Sequence, residues 1–239
     1  QTPTNVMGFD CSASNKSGSV AYKRAINVVG NPDEIDINML VTPGILHSLH
    51  SSVTNHAIDK VESRADAFYV MDAAQWGDNV QTAVSNVQTL DTNYAATYYP
   101  WVKIDDPSTG TGVWVPPSVV IPGVMAFTDS VAHEWFAPAG LNRGGLTSVR
   151  IPKKKLTHTD RDTLYEGRVN PIATFPGQGV VVFGQKTLQA KPSALDRINV
   201  RRLLIRLKKF IASSSRFLVF EQNDSSTRAR FLNIVNPFL

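Results

Sequence analysis

A chain of 239 residues has room for one large domain or two small ones, and a composition that is 42% hydrophobic and 18% charged excludes a disordered or collagen-like chain. The one cysteine, Cys11, closes no intramolecular disulfide, so nothing supports a disulfide-stapled secreted scaffold, and no apolar run approaches the roughly 20 residues of a membrane span. The net charge of +4 conceals an asymmetry: residues 1–125 carry 6 Lys and Arg against 12 Asp and Glu, whereas residues 126–239 carry 18 against 8, a pattern suited to binding an anion with the second half or to docking on copies of the same chain.

The opening QTPTNVMGFD lacks a basic stretch followed by an apolar one and does not read as a secretory leader. Residues 1–35 read as edge strands and loops, with β-like runs at Val20–Tyr22 and Ile26–Val29 and a turn signal at Gly30-Asn31-Pro32-Asp33. Residues 36–239 read as one core domain. Ile37–Val41 predicts a buried strand closed by Thr42-Pro43-Gly44. Ser51 or Ser52 is placed to cap a helix running to about Arg64, with Val53, Ala57, Ile58 and Val61 on one side. Ala67–Met71 predicts a second strand, Asn79–Leu90 a second helix, and Tyr94–Ile104 a third strand interrupted by Pro100. This β-α-β-α-β order implies the α/β class: a largely parallel or mixed sheet flanked by helices, with a small β-rich N-terminal segment.

Asp105–Pro117 is rich in Pro and Gly and predicts a hairpin or an exposed loop over 105–118. Pro122–Trp135 predicts a helix, Phe136–Gly145 irregular chain and Thr157–Glu166 a short helix, followed by Val169-Asn170-Pro171 and a strand at Gly179–Phe183. The longest helix spans roughly Ala194–Ala212. On a helical wheel Val200, Leu203, Leu204, Leu207, Phe210 and Ile211 fall within about a third of the circumference, which is the face expected to pack. Arg197, Arg201 and Lys208 flank that arc on one side; Arg202, Arg206 and Lys209 lie opposite. Phe231–Val235 should be helical, an abrupt place for a domain to stop.

Few residues point to chemistry. Gly179-Val-Val-Val-Phe-Gly184-Gln185-Lys186 is no phosphate loop, because Gln185 intrudes before the lysine and VVVF is strand material. His47 and His50 are three apart, but no zinc-binding pattern surrounds them or His56, His133 and His158. No nucleophile elbow is present, Cys11 has no near histidine in sequence, and Asp105-Asp106 belongs in a turn. No catalytic, cofactor or metal residue is therefore expected. The basic helix has three readings: a solvated face, a surface that docks on an acidic protein, or a nucleic-acid contact.

Several blocks occur in a fixed order: VPPS (Val115–Ser118), TDS (Thr128–Ser130), WFAPAGLNRG (Trp135–Gly144), LT and RD before LY (Leu156–Tyr165), NPI (Asn170–Ile172), FPGQGVVVFGQKTL (Phe175–Leu188), INVRRL (Ile198–Leu203) and FEQND (Phe220–Asp224). Upstream, NMLVTPGI, SRADAFYVMDA and YAATYYPWVKI extend the series back to about Asp36. In this order the chain resembles the conserved core of bacteriophage contractile-tail sheath proteins. The resemblance implies a non-enzymatic subunit without cofactor that polymerises as stacked rings around a rigid inner tube. Triggered by the baseplate, such a lattice shortens and drives the tube through the host envelope. Implied partners are other sheath subunits, the inner tail tube protein, the baseplate and the tail terminator; the implied location is the virion tail, assembled in the host cytoplasm. Family members carry terminal arms that add strands to neighbouring sheets. This chain departs at both ends, so it is expected to fold but not to build the lattice alone. The resemblance makes Arg197, Arg201, Arg202, Arg206, Lys208 and Lys209 candidates for contact with the tube or an adjacent subunit. Pro138, Gly140, Gly144 and Gly145 become backbone-shape residues, and Asn142 and Arg143 either fix the loop or touch a neighbour, with the loop favoured. A nucleic-acid-binding module using the basic second half is the reading from a different class, and steep salt dependence would mark it.

Overall fold

The computed structural model describes residues 2–238; Gln1 and Leu239 lie outside them. Its centre is a five-stranded sheet of order β1-β2-β3-β7-β8, built from β1 (Met39–Leu46), β2 (Phe68–Asp72), β3 (Ala95–Tyr99), β7 (Val169–Phe175) and β8 (Gly179–Val182). The first four strands are parallel, and β8 returns antiparallel to β7. The expected α/β class holds.

Alternation along the strands builds two apolar layers. In β2 all five residues are buried; Tyr69 and Met71 join one layer, Phe68 and Val70 the other. Each of these four side chains contributes about 1.5–3 kcal/mol by leaving water. The first layer is closed by α1 (Ser17–Val28), α2 (His47–Arg64), α3 (Val80–Ser85) and α5 (His158–Glu166). The second is closed by α4 (Ile121–Val131), α6 (Ile198–Ser215) and a small antiparallel sheet in which β4 (Val102–Asp105) lies between β5 (Gly112–Val115) and β6 (Val149–Pro152).

The N-terminal segment is a correction. Val20–Tyr22 and Ile26–Val29 are not strands: they lie on or against α1, because Ser19, Tyr22 and Ile26 recur at helical spacing and face the first layer. Among the described residues before α1 only two isolated bridges, Thr2 to Asn5 and Val6 to Phe9, have β character. Val6, Cys11 and Ile26 are buried in the same layer as β2.

Strand β1 runs through Thr42-Pro43-Gly44 instead of stopping there. It is the sheet's edge, where a proline lacking its N–H is tolerated, and Gly44 (φ +86°) lets the register slip from Val41 opposite Val70 to Leu46 opposite Asp72. Pro100 divides the long third run between two sheets: Ala95–Tyr99 stays in the main one, and β4 (Val102–Asp105) starts the small one. The hairpin expected after Asp105 is present, with β5 (Gly112–Val115) antiparallel to β4 and its tip tied by Asp106 to Ser108 N–H (2.9 Å). Strands β6 (Val149–Pro152) and β7 have no counterpart in the sequence reading, and α4 ends at Val131, short of Trp135. Helix α5 starts at a capping box between Thr157 and Asp160, and α7 (Ser225–Val235) is capped by Asp224. Among the described residues no helix is long and apolar enough to cross a membrane.

Candidate functional site

Helix α6 carries five of the six candidate contact residues, with Arg197 as its N-cap, and it is turned the other way from its wheel. Its buried residues are Ile198, Arg201, Arg202 and Ile205, at i, i+3, i+4 and i+7; Val200, Leu203 and Leu207 are only half-buried and Leu204 is exposed. The cations expected on the surface reach inward instead. Arg202 donates to Asp129 of α4 at 2.5 Å, and Arg201 donates to Asn93 at 2.6 Å with its guanidinium 4.1 Å from the Tyr94 ring. Lys209 satisfies all three ammonium protons on Asp36 (2.5 Å), Asn38 (2.6 Å) and the Ile37 carbonyl (2.7 Å), and that ion pair holds the Asp36 carboxyl below its usual range. Apolar stems packed inward with charged heads on fixed acceptors explain why arginine occupies a core-facing position. Lys208 is exposed and reaches the Arg64 carbonyl at 3.4 Å. Arg206 lies 3.5 Å from Glu134 and stays half exposed, and Arg197 lies 3.5 Å from Asp196. Arg201, Arg202 and Lys209 are thus internal fasteners, and charge reversal at Arg201 or Arg202 would place an unpaired charge inside the fold.

The loop 135–146 closes the outer edge of β8. Gly140 N–H donates to the Val182 carbonyl (2.9 Å), Val182 N–H to Gly144 (2.8 Å) and Leu146 N–H to Val180 (2.9 Å). Gly140 takes φ +85°, and a Cβ on Gly144 would stand 2.6 Å from the Val182 oxygen. Pro138 and Gly144 are buried; Arg143 donates to the Ala137 carbonyl at 3.3 Å and stacks on Phe136 at 5.1 Å. Asn142 is exposed and makes no hydrogen bond among the described residues. An edge that would otherwise offer free N–H and C=O groups to any strand is thereby covered.

Other motif residues are stitches that the sequence reading did not single out. Arg64, whose side chain is 1% exposed, binds Asp66 (2.5 Å) and the carbonyls of Val29 (2.6 Å) and Ile35 (2.5 Å), tying the end of α1 to the sheet. Asn170 spans strands, donating to the carbonyls of Thr97 (3.1 Å) and Lys186 (2.8 Å) and accepting from Lys186 N–H (2.6 Å). Asp72 accepts from the Ser118 hydroxyl (2.5 Å) and amide (3.0 Å), and burial raises its carboxyl to about 7. The histidines serve locally: His47 bonds Thr54 (2.7 Å), His50 accepts from Leu46 N–H (3.1 Å) at a kink in α2, His56 bonds Asn27 (2.9 Å) and His158 pairs with Asp162 (2.8 Å). Gly179–Val182 is strand β8, and no phosphate loop is formed there.

This architecture matches known proteins. The family model described as the phage tail sheath protein central domain aligns with residues 16–188, well over half of the chain. The chain belongs to the phage tail sheath family. The tail sheath protein of Vibrio phage KVP40 is 30% identical over 268 aligned positions, covering 100% of this chain and 39% of that protein. The tail sheath protein of Enterobacteria phage T4 is 37% identical over 66% of this chain and 23% of its own length. This sheath chain therefore spans well under half of those curated relatives. Among solved structures, the sheath complex of an extracellular contractile injection system in its contracted state superposes with a TM-score of 0.71 at 26% identity, covering 87% of this chain and 55% of that one. The baseplate of the anti-feeding prophage contains a chain of the same fold, with a TM-score of 0.71 at 23% identity over 95% of this chain and 57% of that one.

Proposed function

We propose that this chain is the structural core of a contractile sheath subunit, polymerising as rings around an inner tail tube and shortening to drive that tube through the host envelope. It works without catalysis or cofactor, within the virion tail, after assembly in the host cytoplasm. The observation that carries this reading is the agreement of family match and fold with a contracted sheath complex. Its partners in this reading are sheath subunits, the tube protein, the baseplate and the tail terminator. Rigid layers packed on both sides of a sheet suit a subunit that moves as a body while contacts between subunits change.

Negative-stain microscopy with sedimentation tests it, on this chain and on a version extended to the length of the curated relatives, each with and without purified tubes. Striated cylinders from the extended version support the reading. Failure of both chains to assemble, with DNA binding that falls steeply with salt, overturns it in favour of the nucleic-acid module. The exposed heads of Arg206 and Lys208 support these two as the remaining contact candidates on α6. Arg206→Glu with Lys208→Glu is expected to reduce cylinder yield while the melting temperature of the isolated chain stays unchanged, since exposed pairs contribute about 0–1 kcal/mol. Normal cylinders from that variant would remove α6 from the contact surface.

A further inference from the structure

The FEQND block, Phe220–Asp224, ends in the cap of α7, but that leaves Phe220 unexplained. Glu221 N–H donates to the Leu218 carbonyl at 3.2 Å, closing a turn in which Val219 has φ −67° and ψ 132° and Phe220 has φ +72°. This is the type II pattern, whose third position favours glycine. Here it holds a phenylalanine whose relative exposure is 103%, beside Phe217 at 82% and Val219 at 58%. Nothing among the described residues covers this left-handed aromatic residue. Both the strain and the exposure are accounted for once the ring is covered by a partner.

A cavity of about 420 Å³ lies between α5 and residues 137–140, with apolar walls from Ala137, Ala139, Tyr165 and Phe183. Arg161 sits on its rim, its guanidinium 5.1 Å from the Phe175 ring and 5.5 Å from that of Phe183, with no carboxylate partner among the described residues. Asp162, the carboxylate on the same rim, is held by His158 at 2.8 Å. The Gln185 side-chain oxygen is shielded from water and accepts no hydrogen bond among the described residues. The cleft thus presents an apolar hole and an uncompensated cation, with the Gln185 oxygen shielded behind its wall. The 218–221 turn presents an exposed ring and a carboxylate one residue later.

We propose that Phe220 of one copy seats in the α5 cleft of a second copy, with Glu221 on Arg161. Repeated in one sense from copy to copy, this contact is head-to-tail and propagates, as rings of subunits require. The proposal rests on the assembly reading above and names its contact surface.

Sheath protein in its assembly-competent form, carrying p-benzoylphenylalanine at position 220, is mixed with isotopically labelled protein lacking it, assembled and irradiated. Crosslinks from 220 to labelled peptides containing residues 137–140, 161–165 or 183–185 are expected. Cylinders whose crosslinks stay within the carrier chain, or land on another surface, overturn the proposal and leave the assembly reading standing. Absence of cylinders from the unsubstituted protein overturns both. As a second arm, Glu221→Arg or Arg161→Glu alone is expected to cut pelleted protein about tenfold, and the two together to restore it. A double variant that assembles no better than the singles, with each chain melting as the parent does, sinks the ion pair.

Discussion

Asp72 ends a strand in which every residue is buried, and its carboxyl titrates near 7 because burial disfavours the anion more than the Ser118 hydroxyl, Ser118 amide and Gly44 amide favour it. A raised folded pKa means that the proton is bound more tightly in the fold. The stabilisation is fully present below about pH 4 and is lost as pH rises through 7. Buried His47 and His50, whose imidazoles are held below their ordinary value by desolvation, act oppositely below about pH 6.5, so the comparison with a variant is what isolates Asp72. Melting curves between pH 5 and 8 should show Asp72→Asn gaining on the parent as pH rises, by a few kcal/mol, since a tenfold change in proton affinity is worth about 1.4 kcal/mol. Parallel profiles would mean that Asp72 is ionised in the fold. Arg202 gives a second test at this scale. Its side chain is 7% exposed and pairs with Asp129, and Arg202→Ala should cost about 3–5 kcal/mol in urea unfolding by stranding a carboxylate. A loss under about 1 kcal/mol would show the pair to be solvated.

Among the elements, α6 shows how a stripe can mislead. It carries two sets at i, i+3, i+4 and i+7: the more apolar Val200, Leu203, Leu204, Leu207, and the mixed Ile198, Arg201, Arg202, Ile205. Hydropathy selects the first, but the second faces the sheet because Asp129, Asn93 and the 36–38 segment place acceptors where the arginine and lysine heads arrive. The apolar stripe is partly covered from the other side by the C-terminal segment, with Phe238 stacked on Phe210 at 3.7 Å. The 135–146 loop gives the prediction for this scale. Gly144→Ala drives a methyl to 2.6 Å from the Val182 oxygen and opens the β8 edge, so a loss of about 2 kcal/mol or more is expected, together with concentration-dependent association by light scattering. An unchanged melt would show that the loop yields without leaving the edge. The family resemblance marked that glycine and Pro138 as backbone-shape residues, and the strand at Gly179–Phe183 was legible in the sequence; their pairing was not, because it joins residues 140–146 to residues 180–182 through space.

For the molecule as a whole, the acidic first half and the basic second half meet within the chain. Asp36 pairs with Lys209, Asp33 with Arg216 and Asp105 with Arg150, so part of the asymmetry is internal complementarity, not surface charge offered to a partner. The α/β class was legible in the residues alone, since buried runs alternating with helices leave few ways to cover both faces of a parallel sheet, and so was the family, since ordered blocks do not need coordinates to be recognised. The N-terminal helix, the second stripe of α6, the Arg64 and Asn170 stitches, the α5 cleft and the exposed Phe220 emerged only from the packing in three dimensions. Each depends on groups brought together from distant parts of the chain, where the position of an acceptor, and not the hydropathy of the residue that reaches it, determines what is buried.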